Sequence, residues 1–443
     1  MRPNEKYGLE RQTERKHWLL RFKSGCKAIY TDKRKGIVVV VYLILALLLW
    51  LFRVRIFHMQ GTDIFSVTNR EALQRLFPVC VIGGLFFLVA ALGTPFRAKE
   101  IYANLIRVGL SNHAGESPLL LAKYKDRKNP RIAILEFEAN GIPKTEWEDK
   151  QAKIEAALNV HVVKVTEGAS KRRILLYTVS ALSALPGKLY WKDGYLSKES
   201  FVLVLGESLT GRETVNLAQI PHILLGGSTG SGKSVLLKLL LMQCVKKGAI
   251  VYIADFKGGV DFPAVWHETC RIVTDEKGLV DTLTRIVDEL ERRKQVLRSA
   301  ECANIDGYAR KTGKGLPRLI FACDEVAEVL DKTGLTKESK ELVARIESKL
   351  SVIARQGRAF GIHLILATQR PDATILSGQI RNNIDCRICG RADNVLSQII
   401  LDNTNAADQI PKDAQGRFIL GDGTVFQGYL FDEQETFGGR SYD

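Results

Sequence analysis

Neither an internal repeat nor a low-complexity tract interrupts the 443 residues, which excludes solenoids, propellers and long disordered linkers. The eight cysteines, at 26, 80, 244, 270, 302, 323, 386 and 389, form no framework of the secreted type. Most fall in stretches that read as helix or strand, so they are expected to be reduced, buried small hydrophobes. Cys386 and Cys389 have C-x-x-C spacing, but no second pair and no histidine accompanies them, which argues against zinc or thiol redox chemistry. Acidic residues are in the minority, 49 against 64 Lys and Arg for a net +15. That balance suits a polyanionic partner.

The basic excess is uneven. Residues 1–36 hold 11 Lys and Arg against 4 Asp and Glu, so a basic arm precedes an uncharged run, Ile37 to Phe52. A second uncharged run extends from Leu76 to Leu92. Both read as membrane spans, slightly short of the roughly 20 residues that cross a ~30 Å hydrocarbon core, with Arg53 able to snorkel. No small-residue cleavage site follows the first run, so a cleaved signal peptide is not expected. The 23-residue connection from Arg53 to Arg75 carries only 4 Lys and Arg. A multi-pass protein of the cell membrane follows, with both termini cytoplasmic and a short loop outside.

Gly227-Ser228-Thr229-Gly230-Ser231-Gly232-Lys233-Ser234 fits G-x-x-x-x-G-K-[ST] at every fixed position, directly after the apolar Ile223-Leu224-Leu225. Glycines there let successive backbone N–H groups curl around phosphates, Lys233 reaches the β and γ oxygens, and the Ser234 hydroxyl ligates Mg2+. A helical pattern (Val235, Leu236, Leu239, Leu240, Val245) follows and stops at Gly248. These residues predict a site for ATP with Mg2+.

At this length two or three structural units are expected. After the basic arm (1–36) and the two spans (37–93), residues 94–200 read as a small α+β module: a strand at 132–137, a helix at 144–158, strands at 160–165 and 174–179. From 201 to 432 strand and helix signals alternate, with strands at 250–255, 319–323 and 362–367 and helices at 276–299 and 337–358. A mainly parallel sheet covered by helices follows, with a short tail at 433–443. Leu319 to Cys323 ends in Asp324-Glu325, which fits the second nucleotide motif: Asp324 to hold Mg2+ through water, Glu325 to polarise the attacking water. Helix capping by Glu325 is the alternative, since Val326 to Leu330 looks helical. Gln369, just past the strand at 362–367, is placed to sense the γ-phosphate or orient water.

His222-Ile223-Leu224-Leu225-Gly226 before the loop, Asp255-Phe256-Lys257, Asp324-Glu325, and the block from Arg358-Ala359-Phe360-Gly361 to Thr368-Gln369-Arg370-Pro371 together resemble the FtsK/SpoIIIE DNA translocases. The resemblance runs from about Val204 to Leu430, roughly half the chain. It implies a RecA-like P-loop NTPase motor that assembles as a homo-hexamer and pumps DNA, with Lys233, Ser234, Asp324, Glu325 and Gln369 in the roles above. It also implies an arginine acting on the neighbouring subunit's nucleotide; Arg355, Arg358, Arg381 and Arg387 are the candidates, with Arg387 placed in the expected catalytic set. The family's usual Asp-Pro-Lys is Asp255-Phe256-Lys257 here, which puts the turn at that strand end in question. Two spans, no long linker and no winged-helix module resemble the coupling proteins of Gram-positive conjugative elements, which implies a relaxase and channel proteins as partners. A chromosomal translocase and a type VII-like secretion ATPase remain the alternatives, with a non-hydrolysing tether opposed by the intact Lys233, Asp324 and Glu325.

Overall fold

A computed structural model describes residues 3–52, 64–258, 260–369 and 376–434. Residues 53–63 of the expected external loop, Arg370-Pro371 and nearly all of the C-terminal tail lie outside the described residues; the remainder of that expected loop, 64–75, is helix, continuous with the second apolar run. The chain divides into two compact units, 1–183 and 184–443.

In the first unit the basic arm forms a helix, α1 (Pro3–Thr31), for which the sequence offered no periodic signal. Asp32 caps the next helix, α2 (Lys33–Leu51), by accepting from the Arg34 N–H. The third, α3 (Ile64–Leu92), carries Pro78 internally. Lys33–Leu51 and Arg75–Leu92 are each long and apolar enough to cross a bilayer, and their surfaces are almost entirely unburied. The Tyr42 hydroxyl donates to the Val81 carbonyl at 3.0 Å, tying the two together. After α4 (Ala98–Arg107) comes an antiparallel sheet of four strands: β1 (Leu119–Lys125), β2 (Ala133–Glu138), β3 (Val160–Glu167) and β4 (Arg173–Ser180), in the order β1-β2-β4-β3. The helical stretch expected at 144–158 is two helices, α5 (Lys144–Asp149) and α6 (Gln151–Leu158), broken at Lys150. Phe137, Trp147, Ile154 and Leu176 form the fully buried centre of this module.

The second unit is built on one mixed sheet. Its strands are β5 (Leu189–Tyr190), β6 (Val202–Ser208), β7 (Arg212–Asn216), β8 (Ile223–Gly226), β9 (Ile250–Ala254), β10 (Arg271–Val273), β11 (Leu319–Cys323), β12 (Ile362–Thr368), β13 (Cys386–Cys389), β14 (Arg417–Leu420) and β15 (Val425–Leu430). Strands β10, β9, β11, β12, β8 and β13 lie side by side in parallel. Beyond β13 the sheet continues antiparallel through β14, β15, β6 and β7. The parallel core read from the sequence is present; the antiparallel extension is an addition, since strands of only four to seven residues give weak periodic signals.

Helices cover both faces: α7 (Lys233–Lys246) and α8 (Ala264–Thr269) pack with one apolar cluster, and α9 (Glu276–Ser299), α11 (Val326–Leu330), α12 (Lys337–Phe360) and α14 (Asn394–Leu401) with the other. Three short helices, α10 (Ile305–Thr312), α13 (Gly378–Arg381) and α15 (Asn405–Gln409), complete the unit. Because both faces of the central strands are covered, β8, β11 and β12 are buried along their whole length, which is why they read as continuous apolar runs rather than alternating ones. Cys386 and Cys389 sit in β13 with burial pushing both thiols up to about 12; they are unreactive filler, as expected.

Candidate nucleotide site

The site is assembled where the parallel strands end. Gly226 of β8 pairs with Thr368 of β12 on one side and Cys389 of β13 on the other. The next residues of all three strands, Gly227, Gln369 and Gly390, therefore emerge together. The 227–232 loop turns tightly: Gly230 and Gly232 have φ of 74° and 97°, left-handed values that side chains resist. A Cβ on Gly232 would also stand 3.0 Å from the backbone nitrogen of Gly416, so the position is doubly restricted to glycine. Helix α7 then begins at Lys233, and its N-terminal N–H groups face the loop.

Lys233 and Ser234 both reach Asp324. The lysine Nζ lies 3.1 Å from Asp324 Oδ1, and the serine hydroxyl donates to the same oxygen at 3.0 Å. Lys257 donates to the other oxygen, Oδ2, at 2.9 Å, and to Asp261 at 3.0 Å. The Asp324 side chain is only 2% exposed, so a lone carboxylate would be held neutral there. Burial does push its acidity that way, but Lys233 and Lys257 outweigh it and hold the carboxyl below the usual range. Lys257 is raised in turn: burial opposes its charge, and the bonds to Asp324 and Asp261 more than restore it.

Lys257 follows the turn that the sequence left in question. Asp255 Oδ1 accepts the Lys257 backbone N–H at 3.0 Å, so an aspartate side chain closes the turn that a proline would otherwise preset.

Glu325 does not cap α11. Although it stands at the N-cap position, its carboxylate makes no capping bond. It accepts instead from the Thr368 hydroxyl at 2.7 Å and the Gln369 N–H at 2.9 Å. Gln369 in turn accepts from the Thr229 hydroxyl at 2.8 Å. The phosphate loop, the amide past β12 and the acid past β11 thus form one hydrogen-bonded chain.

Arg387 stands apart from this chain. Its guanidinium is bound by Asp402 and by the carbonyls of Ile384 and Arg381, all within its own unit. Arg358 is exposed on the last turn of α12. Arg355 lines a cleft of about 510 Å³ with Ser348, Ser351, Ser377 and Gln379.

Two residues at the site escaped the sequence reading. Lys257 is one, seen there only as part of a variant turn. Arg391 is the other: its guanidinium donates to the Thr229 carbonyl at 2.7 Å and to Lys412 O at 2.6 Å, while its own carbonyl accepts the Ser228 N–H at 2.8 Å. The signal that could have found it is its place two residues past a strand that abuts β8.

The donor set suits Mg2+. A hydroxyl and a carboxylate sharing one edge of the site are hard oxygen ligands of the kind this ion takes, with water and phosphate completing its shell.

The FtsK/SpoIIIE family model matches residues 192–330. The solved monomer form of the pCW3 conjugation coupling protein TcpA with ATPγS is 35% identical, superimposes with a TM-score of 0.57, and is matched over 78% of this chain and 99% of that one. This chain belongs to the FtsK/SpoIIIE family. Among curated relatives, the DNA translocase FtsK of Treponema pallidum is 34% identical over 235 residues, and that of Campylobacter jejuni 32% over 225. Those alignments take in 49% and 47% of this chain but only 28% and 22% of the relatives, so the chain spans about a quarter of their length. The FtsK/SpoIIIE assignment makes the mixed sheet a P-loop NTPase motor fold, and the enzyme an ATPase.

Proposed function

We propose that this chain is a membrane-anchored, ATP-driven DNA translocase that serves as the coupling protein of a conjugative system, passing DNA to a transfer channel. The observation that carries the reading is the likeness to a conjugation coupling protein over 78% of this chain, more than the second unit alone could supply. The basic excess of +15 supports a polyanionic substrate. The two apolar helices support an anchor, and the Lys and Arg bias toward the N-terminal arm supports cytoplasmic termini. A relaxase and channel proteins are the partners this reading requires.

In this reading Gly227 to Gly232 cradle the phosphates by backbone N–H groups, and Lys233 turns from Asp324 to the β and γ oxygens. Ser234 and Asp324 hold Mg2+, which neutralises phosphate charge when bound. Glu325 takes the proton of the attacking water, and Gln369 reports the γ-phosphate through its link to Thr229. The motor works as a homo-hexamer, which supplies an arginine from the next subunit. Arg387 can serve only if the ring releases it from Asp402; Arg358, already exposed, needs no such release.

The test is the steady-state ATPase rate of the detergent-solubilised chain with double-stranded DNA, single-stranded DNA or unfolded polypeptide, with Lys233→Ala as the blank. Stimulation by DNA is expected. Stimulation by polypeptide alone would move the protein to the secretion class, and no activity under any condition would leave a tether.

A further inference from the structure

The helix formed by the basic arm presents three different faces. Trp18 packs against Phe86 and Phe87 of α3, with ring centroids 6.4 and 5.9 Å apart, and Phe22 stacks on Phe86 at 4.5 Å. Gly25 continues this face with backbone against backbone: a Cβ there would fall 1.9 Å from the Val89 carbonyl, and one on Gly93 2.2 Å from the Arg21 carbonyl. A second face meets the α+β module. Lys16 donates to Asn140 at 3.1 Å, Ser24 to the Leu121 carbonyl at 3.2 Å, and His17 packs edge-on against Tyr102. The third face, Arg15, Leu19, Lys23, Cys26 and Tyr30, is exposed, with Leu19 at 57% and Tyr30 at 93%. These five positions follow helical spacing and so form one stripe.

The level of the membrane boundary can be read from the same unit. Lys35, at the start of α2, donates to the Leu92 carbonyl at the end of α3 at 2.9 Å, so both apolar helices reach that boundary together. Phe86 lies six residues before Leu92, about 9 Å deeper at ~1.5 Å per residue. A helix whose tryptophan packs at that depth, and whose other face meets the α+β module beyond the two spans, lies at the lipid–water interface. Alternating apolar and cationic side chains are what such a position favours: rings and aliphatic stems enter the headgroup zone while ammonium and guanidinium groups stay at its surface. From Arg15 to Lys35 there are eight Lys and Arg and one acid, Asp32, a charge that selects anionic lipid.

We propose that α1 is an in-plane membrane helix of the leaflet adjoining the α+β module, binding anionic headgroups along its Arg15–Leu19–Lys23–Cys26–Tyr30 stripe. The inference rests on reading α2 and α3 as spans. The experiment is quenching of tryptophan fluorescence by brominated lipid, on the full chain in nanodiscs. Trp18 and Trp50 are isolated by difference with Trp18→Phe and Trp50→Phe, changes small enough to keep the fold. Bromine placed high on the acyl chain should quench Trp18 more than bromine near the chain end. Brominated phosphatidylglycerol should quench it more than equally brominated phosphatidylcholine at the same fraction. If Trp50 is quenched and Trp18 is not, the spans stand and the in-plane helix is overturned. If neither is quenched, the membrane reading itself fails. Equal quenching of Trp18 by the two headgroups would overturn the anionic selectivity.

Discussion

The Thr368 hydroxyl donates to Glu325 Oε1 at 2.7 Å, joining the ends of two neighbouring parallel strands. The bond draws the acid toward the amide past β12 and away from helix capping. Because Gln369 also holds Thr229, a phosphate that displaces the Thr229 contact would be felt at Glu325 through a single intervening residue.

Lys233→Ala should abolish ATP turnover. Removing one partner of a buried ion pair costs up to about 3–5 kcal/mol, but Asp324 keeps Ser234 and Lys257, so a loss nearer about 2 kcal/mol is expected. Parent-like ATPase would refute the site; a collapsed circular dichroism spectrum would refute the stability argument.

Glu325→Gln should bind ATP and stall its cleavage by on the order of 10²–10⁴, the usual worth of a general base. The amide oxygen can still accept from the Gln369 N–H while the amide NH2 donates to the Thr368 hydroxyl oxygen, so the local structure should survive. Filter binding should find unhydrolysed ATP on the variant, and bound ADP in its place would show that another group orients the water.

Lys257→Met should lower the Mg2+ concentration needed for tight binding of a fluorescent ATP analogue. The ammonium bonded to Asp324 Oδ2 competes for the same charge as the metal, and Lys257 is the more exposed of the two lysines, at 38% against 3% for Lys233. An unchanged or raised Mg2+ midpoint would show that the two do not compete.

Acid should destabilise the motor well above the carboxylate range. Burial lowers His222 to about 4 and, with Arg318 beside it, His363 to about 3, against ~6.5 unfolded. The unfolded chain therefore binds protons first, so stability is complete above about pH 6.5 and falls as pH drops toward 4. About 2–3 kcal/mol should be lost between about pH 7.5 and 5.5 at ~1.4 kcal/mol per unit per group. Thermal melts at the two values check it, and His363→Gln should show roughly half the loss.

The sequence by itself determined the phosphate loop, the acidic strand end and the parallel strands beneath them. Those signals are local: the loop is eight consecutive residues, and strands buried on both faces are unbroken apolar runs. Helices at Glu276–Ser299 and Lys337–Phe360 were equally legible, because a buried stripe repeats with the helical period. Only the tertiary structure decided what lies beside these elements. Lys257 reaches Asp324 across 67 residues and Arg391 reaches Thr229 across 162, and no spacing rule encodes a contact made by strand order. The same holds for Arg387, whose commitment to Asp402 depends on the loop after α14 returning to β13. The basic arm read only as charge until its folding against α3 separated a packed face from an exposed one, since charge is counted along the chain but depth is set by what the helix packs on.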